Sequence, residues 1–531
     1  MGTTSAQALQ EAIIAGQDIA VLDPREEGEY SVEPHLFQSV NLPLSQLELR
    51  VSRLLPRKQV RVVVVSKSGD GLDARMALRL VELGYRNVEV LDGGVQAWQA
   101  EGLPTFTGFN TPSKAFGEFV EHACDTPSIS ADELAAWKAE GRDIVIVDSR
   151  TPAEHHRGTI PGSISTPGAE LVLRAGALAP DPGTTIVVNC AGRTRSIIGA
   201  QSLINAGVPN RVVALRNGTM GWKLAGYEIE TGSTRRAPTP AEAALQRARR
   251  SATEVAQRCG VPTVAWKAVQ DWMQPNANRT CYLYDVRMQE EYLDAHPHGS
   301  RHAAGGQLVQ ATDTYVAVRS ARIVIYDHLN VRSAMTASWL MQMGFPHVCI
   351  LDGQDASIPM ASGRTPEPVP GMPDGELPCI APASLAALGS QAHIVDLGLG
   401  KDYVSGHLPG AWWTVRARLD RCLAQLPPQG TLVLVSPDDR LARLAWPEAR
   451  ALRAGTVLVL EGGSEGWKRA GLPLEAGETR LSGPLDDAFV KPFEAKNREQ
   501  AMQAYLDWEV NLVESVRKDP TVNFRPMVAG A

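Results

Sequence analysis

Ile144-Val145-Ile146-Val147-Asp148, then Ile186-Val187-Val188-Asn189-Cys190, then Val212-Val213-Ala214-Leu215-Arg216-Asn217-Gly218: these three short runs decide the fold. They lack the alternation of a strand with one wet face, and unbroken Val/Ile/Leu runs are what a parallel sheet covered on both faces requires. Between the second and third lies IIGAQSLINAG (197–207), with apolar residues at helical spacing. Strand, helix, strand is a βαβ unit. Ahead of the first run, in SADELAAWKAEG, Ser130 is placed to cap a helix and Glu133 stands three residues on.

The pattern recurs along the chain. Apolar runs end at Asp23, Asp148, Asp285 and Asp396, and a second run ends 43, 42, 42 and 40 residues later at Ser66, Cys190, Asp327 and Ser436. A third run closes each unit at Gly93-Gly94, Gly218, Gly353 and Gly462-Gly463, with a Trp shortly after in three of them (Trp98, Trp222, Trp467). A repeat of this length marks a tandem array, and 531 residues suit several domains of about 100–150 residues better than one core. The expected fold class is α/β: four tandem domains, each a small parallel sheet flanked by helices, over 1–105, 127–235, 261–360 and 379–478, then a C-terminal helical tail over 485–531. Residues 106–126 and 360–378, rich in Gly, Pro and polar residues, read as linkers. Residues 239–258 read as a connecting helix with Thr239 as N-cap and Pro240 in its first turn. In the tail, Met502, Tyr505, Trp508, Leu512 and Val516 fall near one helical face, which is expected to pack on another domain, with a dimer contact as the alternative.

Composition narrows the function classes. With 44% hydrophobic and 21% charged residues and a net charge of −7, the chain has no general surface for nucleic acid or anionic membranes, and neither is expected as a partner. MGTTSAQALQEAIIAG has no basic, apolar leader pattern and no run reaches spanning length, so a cytoplasmic location is the expectation. The seven cysteines include no C-x-x-C pair, so neither a metal nor another cofactor is expected. Most read as reduced, buried thiols.

One cysteine stands apart. In open α/β sheets ligands bind outside the carboxyl ends of the strands, and Cys190 ends its strand there. The sequence then runs Ala191-Gly192-Arg193-Thr194-Arg195-Ser196 into a helix. A loop between strand and helix aims free backbone N–H groups at one point, a nest for negative charge, and two arginines add to it. Such a nest favours the thiolate, and would hold a persulfide or an oxyanion donor equally well.

This arrangement closely resembles the rhodanese family, whose active-site loop has a cysteine, five further loop residues and a helix behind it. Asp148-Ser149-Arg150 matches the family's D-x-R, and Glu154 with Gly158-Thr159-Ile160-Pro161-Gly162-Ser163 resembles its E-x-x-x-G-H-I-P-G-A, with Thr159 in place of the usual His. The resemblance extends over all four repeats in strand order and spacing. It implies that Cys190 accepts sulfur, that Arg150 and Arg195 contact the donor oxyanion with Arg193 as a further contact, and that Ala191, Gly192 and Thr194 complete the binding loop. Four residues separate Cys190 from Arg195, where a cysteine phosphatase would have five, so the smaller ring suits one sulfur atom.

In the other repeats a hydroxyl or carboxylate replaces the thiol and cannot form a persulfide, so those repeats are expected to be inactive. In the third, Asp327 is expected to pair with Arg332. The implied activity is thiosulfate sulfurtransfer through a Cys190 persulfide to cyanide or a thiol. The partners are then a small-molecule sulfur donor and acceptor, with a thiol protein as a further candidate acceptor. The alternative reading is a persulfide carrier or scaffold relaying sulfur to a protein, and a phosphate- or arsenate-processing enzyme is the third. The sequence leaves the oligomeric state open.

Overall fold

The computed structural model describes residues 2–528; Met1 and residues 529–531, the outer ends of the first domain and the tail, lie outside the described residues. Four five-stranded sheets follow one another along the chain, all pairs parallel, and each has its strands in the spatial order 1-5-4-2-3 counted within the sheet. In the second sheet these strands are Ser128–Ile129, Ile144–Asp148, Ile164–Ser165, Thr185–Asn189 and Val212–Leu215. The central strands are buried because helices cover both faces, which is why their sequences are apolar without alternation.

The strand-end aspartates have a structural task. Asp23, Asp148 and Asp285 each hold the arginine two residues on (Arg25, Arg150, Arg287) in a buried ion pair of 2.5–2.6 Å. The fourth repeat reads Asp396-Leu397-Gly398, so Asp396 accepts only the Gly398 N–H, and burial pushes its carboxyl up to about 6.

The first three domains share one continuous apolar core, whereas the fourth has its own. The second and third domains meet face to face through equivalent positions, Arg195 Nη1 donating to Gln307 Oε1 (3.3 Å) and Arg332 Nη1 to Glu170 Oε1 (2.8 Å). The first and fourth meet through Arg416 and Glu48 (2.6 Å) and through the Ala417 N–H and Ser45 Oγ.

Three expectations about the connections need correction. Residues 106–126 are not an open linker: Thr111–Cys124 is a helix, opened by Asn110 in the left-handed region and Pro112, and most of it is buried against the helix Thr194–Asn205. The connecting helix spans Glu242–Arg258, with Ala241 rather than Thr239 at its N-cap. The chain before it stays extended because Arg236 bridges Ser165 and the Ala237 N–H bonds Ser165 O. Among the described residues of the tail the α-helix spans Arg498–Arg517, after a short 3-10 turn at Pro492–Glu494. As expected of its apolar face, it packs on other domains, Leu512 and Val516 against Phe37 and Phe106 of the first and Met502 and Leu506 against Met220 of the second.

Candidate functional site

The second and third runs build the base of the site. Cys190 follows the strand Thr185–Asn189, and its carbonyl accepts the Thr219 N–H (2.8 Å) while that of Ala191 accepts the Met220 N–H (2.9 Å). This close approach requires Gly218, at φ +51°, because a β-carbon there would collide with the Cys190 carbonyl oxygen. The recurring glycine after the third run therefore pins the base of each loop.

Cys190 is 2% exposed. Its Sγ lies 3.5 Å from Ser196 Oγ, which itself donates to the Arg193 carbonyl (2.7 Å). Thr194 opens the helix Thr194–Asn205, so the amides of its first turn have no partners within the helix. What those amides do is visible in the third domain, whose loop has the same length. There the Asp327 carboxylate accepts the N–H groups of Leu329 (3.3 Å), Val331 (3.0 Å) and Arg332 (2.9 Å). The corresponding amides around Cys190 are those of Gly192, Thr194 and Arg195.

The three candidate arginines differ in environment. Arg195 forms a two-pronged pair with Glu154 (2.9 Å each). Burial disfavours the Glu154 carboxylate, but Arg195 outweighs it and holds that carboxyl well below the usual range, while Arg195 is raised in return. Arg150 is fixed to Asp148 and donates Nη2 to the Gly158 carbonyl (2.6 Å); its Nη1 has no hydrogen-bond partner among the described residues. Thr159, standing where the family has His, donates to Asp148 (2.6 Å) and completes that cluster. Arg193 is committed to partners outside the loop. Its guanidinium holds Glu118 (2.7 Å, twice), Glu121 and Asn217 (3.2 Å), because the helix Thr111–Cys124 lies along the loop and presents those carboxylates. Arg193 is an anchor between loop and helix.

Sequence reasoning missed a roof over the loop. Gly192 faces the tail helix, where an added β-carbon would meet Glu509, Leu506 and Tyr505. Thr194 Oγ1 and Tyr505 OH both donate to Glu509 Oε1 (3.2 Å each). Lys114, on the helix Thr111–Cys124, is buried, with Nζ 3.3 Å from Gln310 Oε1 and 3.8 Å from Glu509 Oε1. Burial lowers the Lys114 amine and raises the Glu509 carboxyl, each opposed by the other's charge. One signal for Glu509 was present: it sits seven residues after Met502, within the apolar stripe of the tail helix.

The remaining cysteines are reduced, and burial pushes Cys281 and Cys349 up to about 12, as inert thiols require. Among the described residues no helix is long and apolar enough to cross a membrane.

The sequence pattern of the rhodanese-like domain matches residues 5–101, 130–225 and 267–354; the fourth sheet carries the same topology outside that match. A protein described as "Sulfurtransferase" from Allochromatium vinosum is 31% identical over 101 residues, 19% of this chain and 92% of that protein. A "Thiosulfate sulfurtransferase" from Azotobacter vinelandii is 28% identical over 157 residues, 29% of this chain, and the match spans just over half (57%) of that relative. The crystal structure of a protein described as thiosulfate sulfurtransferase from Pseudomonas aeruginosa is 42% identical, covers 99% of this chain and 100% of its own, and superposes with a TM-score of 0.95.

Proposed function

Since the chain belongs to the rhodanese family, we propose that it is a sulfurtransferase in which Cys190 of the second domain takes sulfane sulfur from thiosulfate and passes it to cyanide or a thiol. The observation that carries this reading is the carboxylate of Asp327 held by loop amides in the third domain. These amides, shared between the two carboxylate oxygens, form a nest for an anionic group, and in the second domain a loop of the same length follows a thiol instead.

The Cys190 thiolate attacks the outer sulfur of the donor; a new S–S bond forms at Cys190 as the donor's S–S bond breaks and sulfite leaves with the electron pair. The amides of Gly192, Thr194 and Arg195 hold the resulting anionic outer sulfur. Cyanide or a thiolate then attacks that sulfur and returns Cys190 to the thiolate. Such two-step covalent transfer gives ping-pong kinetics. Arg195 and Arg150 supply positive potential beside the leaving sulfite, although each already carries a carboxylate partner.

Exposure to thiosulfate followed by peptide mapping is expected to place one added sulfur atom on Cys190, and Cys190→Ala is expected to abolish thiosulfate:cyanide transfer. Turnover retained by that variant overturns the assignment. A persulfide carrier that discharges onto a thiol protein uses the same first step, and rapid discharge onto one protein with slow turnover on cyanide would select that reading.

A further inference from the structure

The arginines around the loop each already carry a carboxylate partner. Arg150 holds Asp148, Arg193 holds Glu118 and Glu121, and Arg195 holds Glu154. Two groups outside the loop are less committed. Lys114 is 8% exposed and its ammonium has three N–H groups, of which Gln310 takes one, with the nearest carboxylate oxygen 3.8 Å away. Glu509 is 1% exposed, and all its hydrogen bonds fall on Oε1. Its Oε2 is buried without a partner among the described residues and would lie 3.1 Å from a β-carbon at Gly192. A buried carboxyl oxygen without a partner is costly, and a ligand that pairs with it removes the cost.

Both groups stand over the Cys190 loop. Gly117, one turn beyond Lys114, packs so tightly on Thr194 that a β-carbon there would lie 2.8 Å from Thr194 Cγ2. Lys114 Nζ lies 3.8 Å from Glu509 Oε1, the oxygen to which Thr194 of the loop donates. We propose that Lys114 and Glu509 hold the oxyanion end of the sulfur donor, Lys114 through its unused N–H groups and Glu509 as a carboxylic acid donating from Oε2. This rests on the reading of Cys190 as the sulfur acceptor. The tail helix is then a wall of the active site, and the helix between the first two domains supplies a cation to it.

The environment of Glu509 fits a neutral acid. Burial raises its carboxyl, Glu118 adds to that, and Lys114, Tyr505 and Arg193 oppose it, with Thr194 a neutral neighbour. Below its folded pKa the acid donates to the dianion; as pH rises through that pKa, the carboxylate repels it. Donor binding therefore weakens with rising pH, at pH values above the ordinary carboxylate range.

The test uses the full chain carrying Cys190→Ala, so that thiosulfate binds without reacting, with calorimetry as the readout and thermal unfolding as the check on folding. Lys114→Gln and Glu509→Ala are each expected to weaken thiosulfate binding about tenfold or more, the scale of a lost charge-assisted hydrogen bond. Glu509→Gln, which keeps a donor, is expected to bind like its parent at the acid end of the pH range above the ordinary carboxylate values and to abolish the weakening with pH. Binding within about twofold of the parent for both Lys114→Gln and Glu509→Ala overturns the proposal. Should those variants fail to fold, the parent decides alone, since thiosulfate affinity independent of pH across the whole range above the ordinary carboxylate values in which the protein stays folded overturns it as well. Lys114-dependent binding in a protein whose Cys190 takes up no sulfur would sink the acceptor reading and leave this subsite standing.

Discussion

The second and third domains share a strand order, a loop length and a two-pronged pair between the loop's last arginine and a glutamate, Arg195 with Glu154 and Arg332 with Glu291. They differ at the residue that heads the loop, Cys190 in one and Asp327 in the other. In the third domain Asp327 supplies its own anion to the loop, accepting three backbone N–H groups and both Nε and Nη2 of Arg332 (3.1 and 2.9 Å). In the second, the smaller Cys190 thiol stands at that position and brings no carboxylate to the loop. A nest filled from within is a structural cross-link, and one headed by a thiol is, on the function proposed above, a reaction site.

The most severe way to break this comparison is to fill the open nest. Cys190→Asp is expected to reduce thiosulfate:cyanide transfer to background, a loss of at least about a thousandfold, while the protein unfolds at a temperature no lower than the wild type. Steady-state assay and calorimetric melting check both halves, and a marked fall in melting temperature would mean that the two loops are not equivalent.

Emptying the filled nest is the converse. Burial opposes the Asp327 charge, but Arg332 and the loop amides outweigh it and lower its pKa. A depressed carboxyl gives stability that is present above the unfolded value of 3.8 and is lost as pH falls through the lower folded value. Asp327→Ala is expected to cost about 3–5 kcal/mol in denaturant titration at neutral pH, because Arg332 and three amides lose a buried partner. Sulfur transfer by Cys190 is expected to survive where the variant remains folded.

Arg193 sharpens the comparison within the active domain. Arg193→Ala leaves Glu118, which is fully buried, without its cation. The expected cost is about 3 kcal/mol of stability, read by denaturant titration, with a smaller effect on the KM for thiosulfate than Lys114→Gln produces. A large change in KM without loss of stability would return Arg193 to the donor site.

The smallest effect comes from the fourth domain, where the D-x-R arginine is missing. Asp396, raised from 3.8 to about 6 by burial, binds its proton more tightly folded than unfolded, so its contribution to stability falls as pH rises from about 4 to 6. Asp396→Asn is expected to stabilise that domain by at most about 3 kcal/mol at pH 7, and the gain is expected to vanish below about pH 4. Unfolding at the two pH values checks the sign.

Much of this was legible along the chain. Apolar runs without alternation specify buried parallel strands, and their spacing specifies the order in which helices return them to the sheet, because both depend on local pattern and short connections. Cys190 was legible for the same reason: strand end, glycine and helix start are neighbours in sequence. The pairing of Asp327 with Arg332 was likewise visible, five residues apart. The roles of Arg193, Lys114 and Glu509 were not. Each depends on segments far apart in the chain, such as Thr194 with Glu509, 315 residues on.

The sequence alone thus determined four α/β repeats and the thiol proposed to carry sulfur, since strand pattern and side-chain chemistry are local properties. Only the tertiary structure decided which cations remain available to a ligand. Charge pairing follows distance in space, and the helix Thr111–Cys124 and the tail helix Arg498–Arg517 meet the Cys190 loop only after the chain has folded.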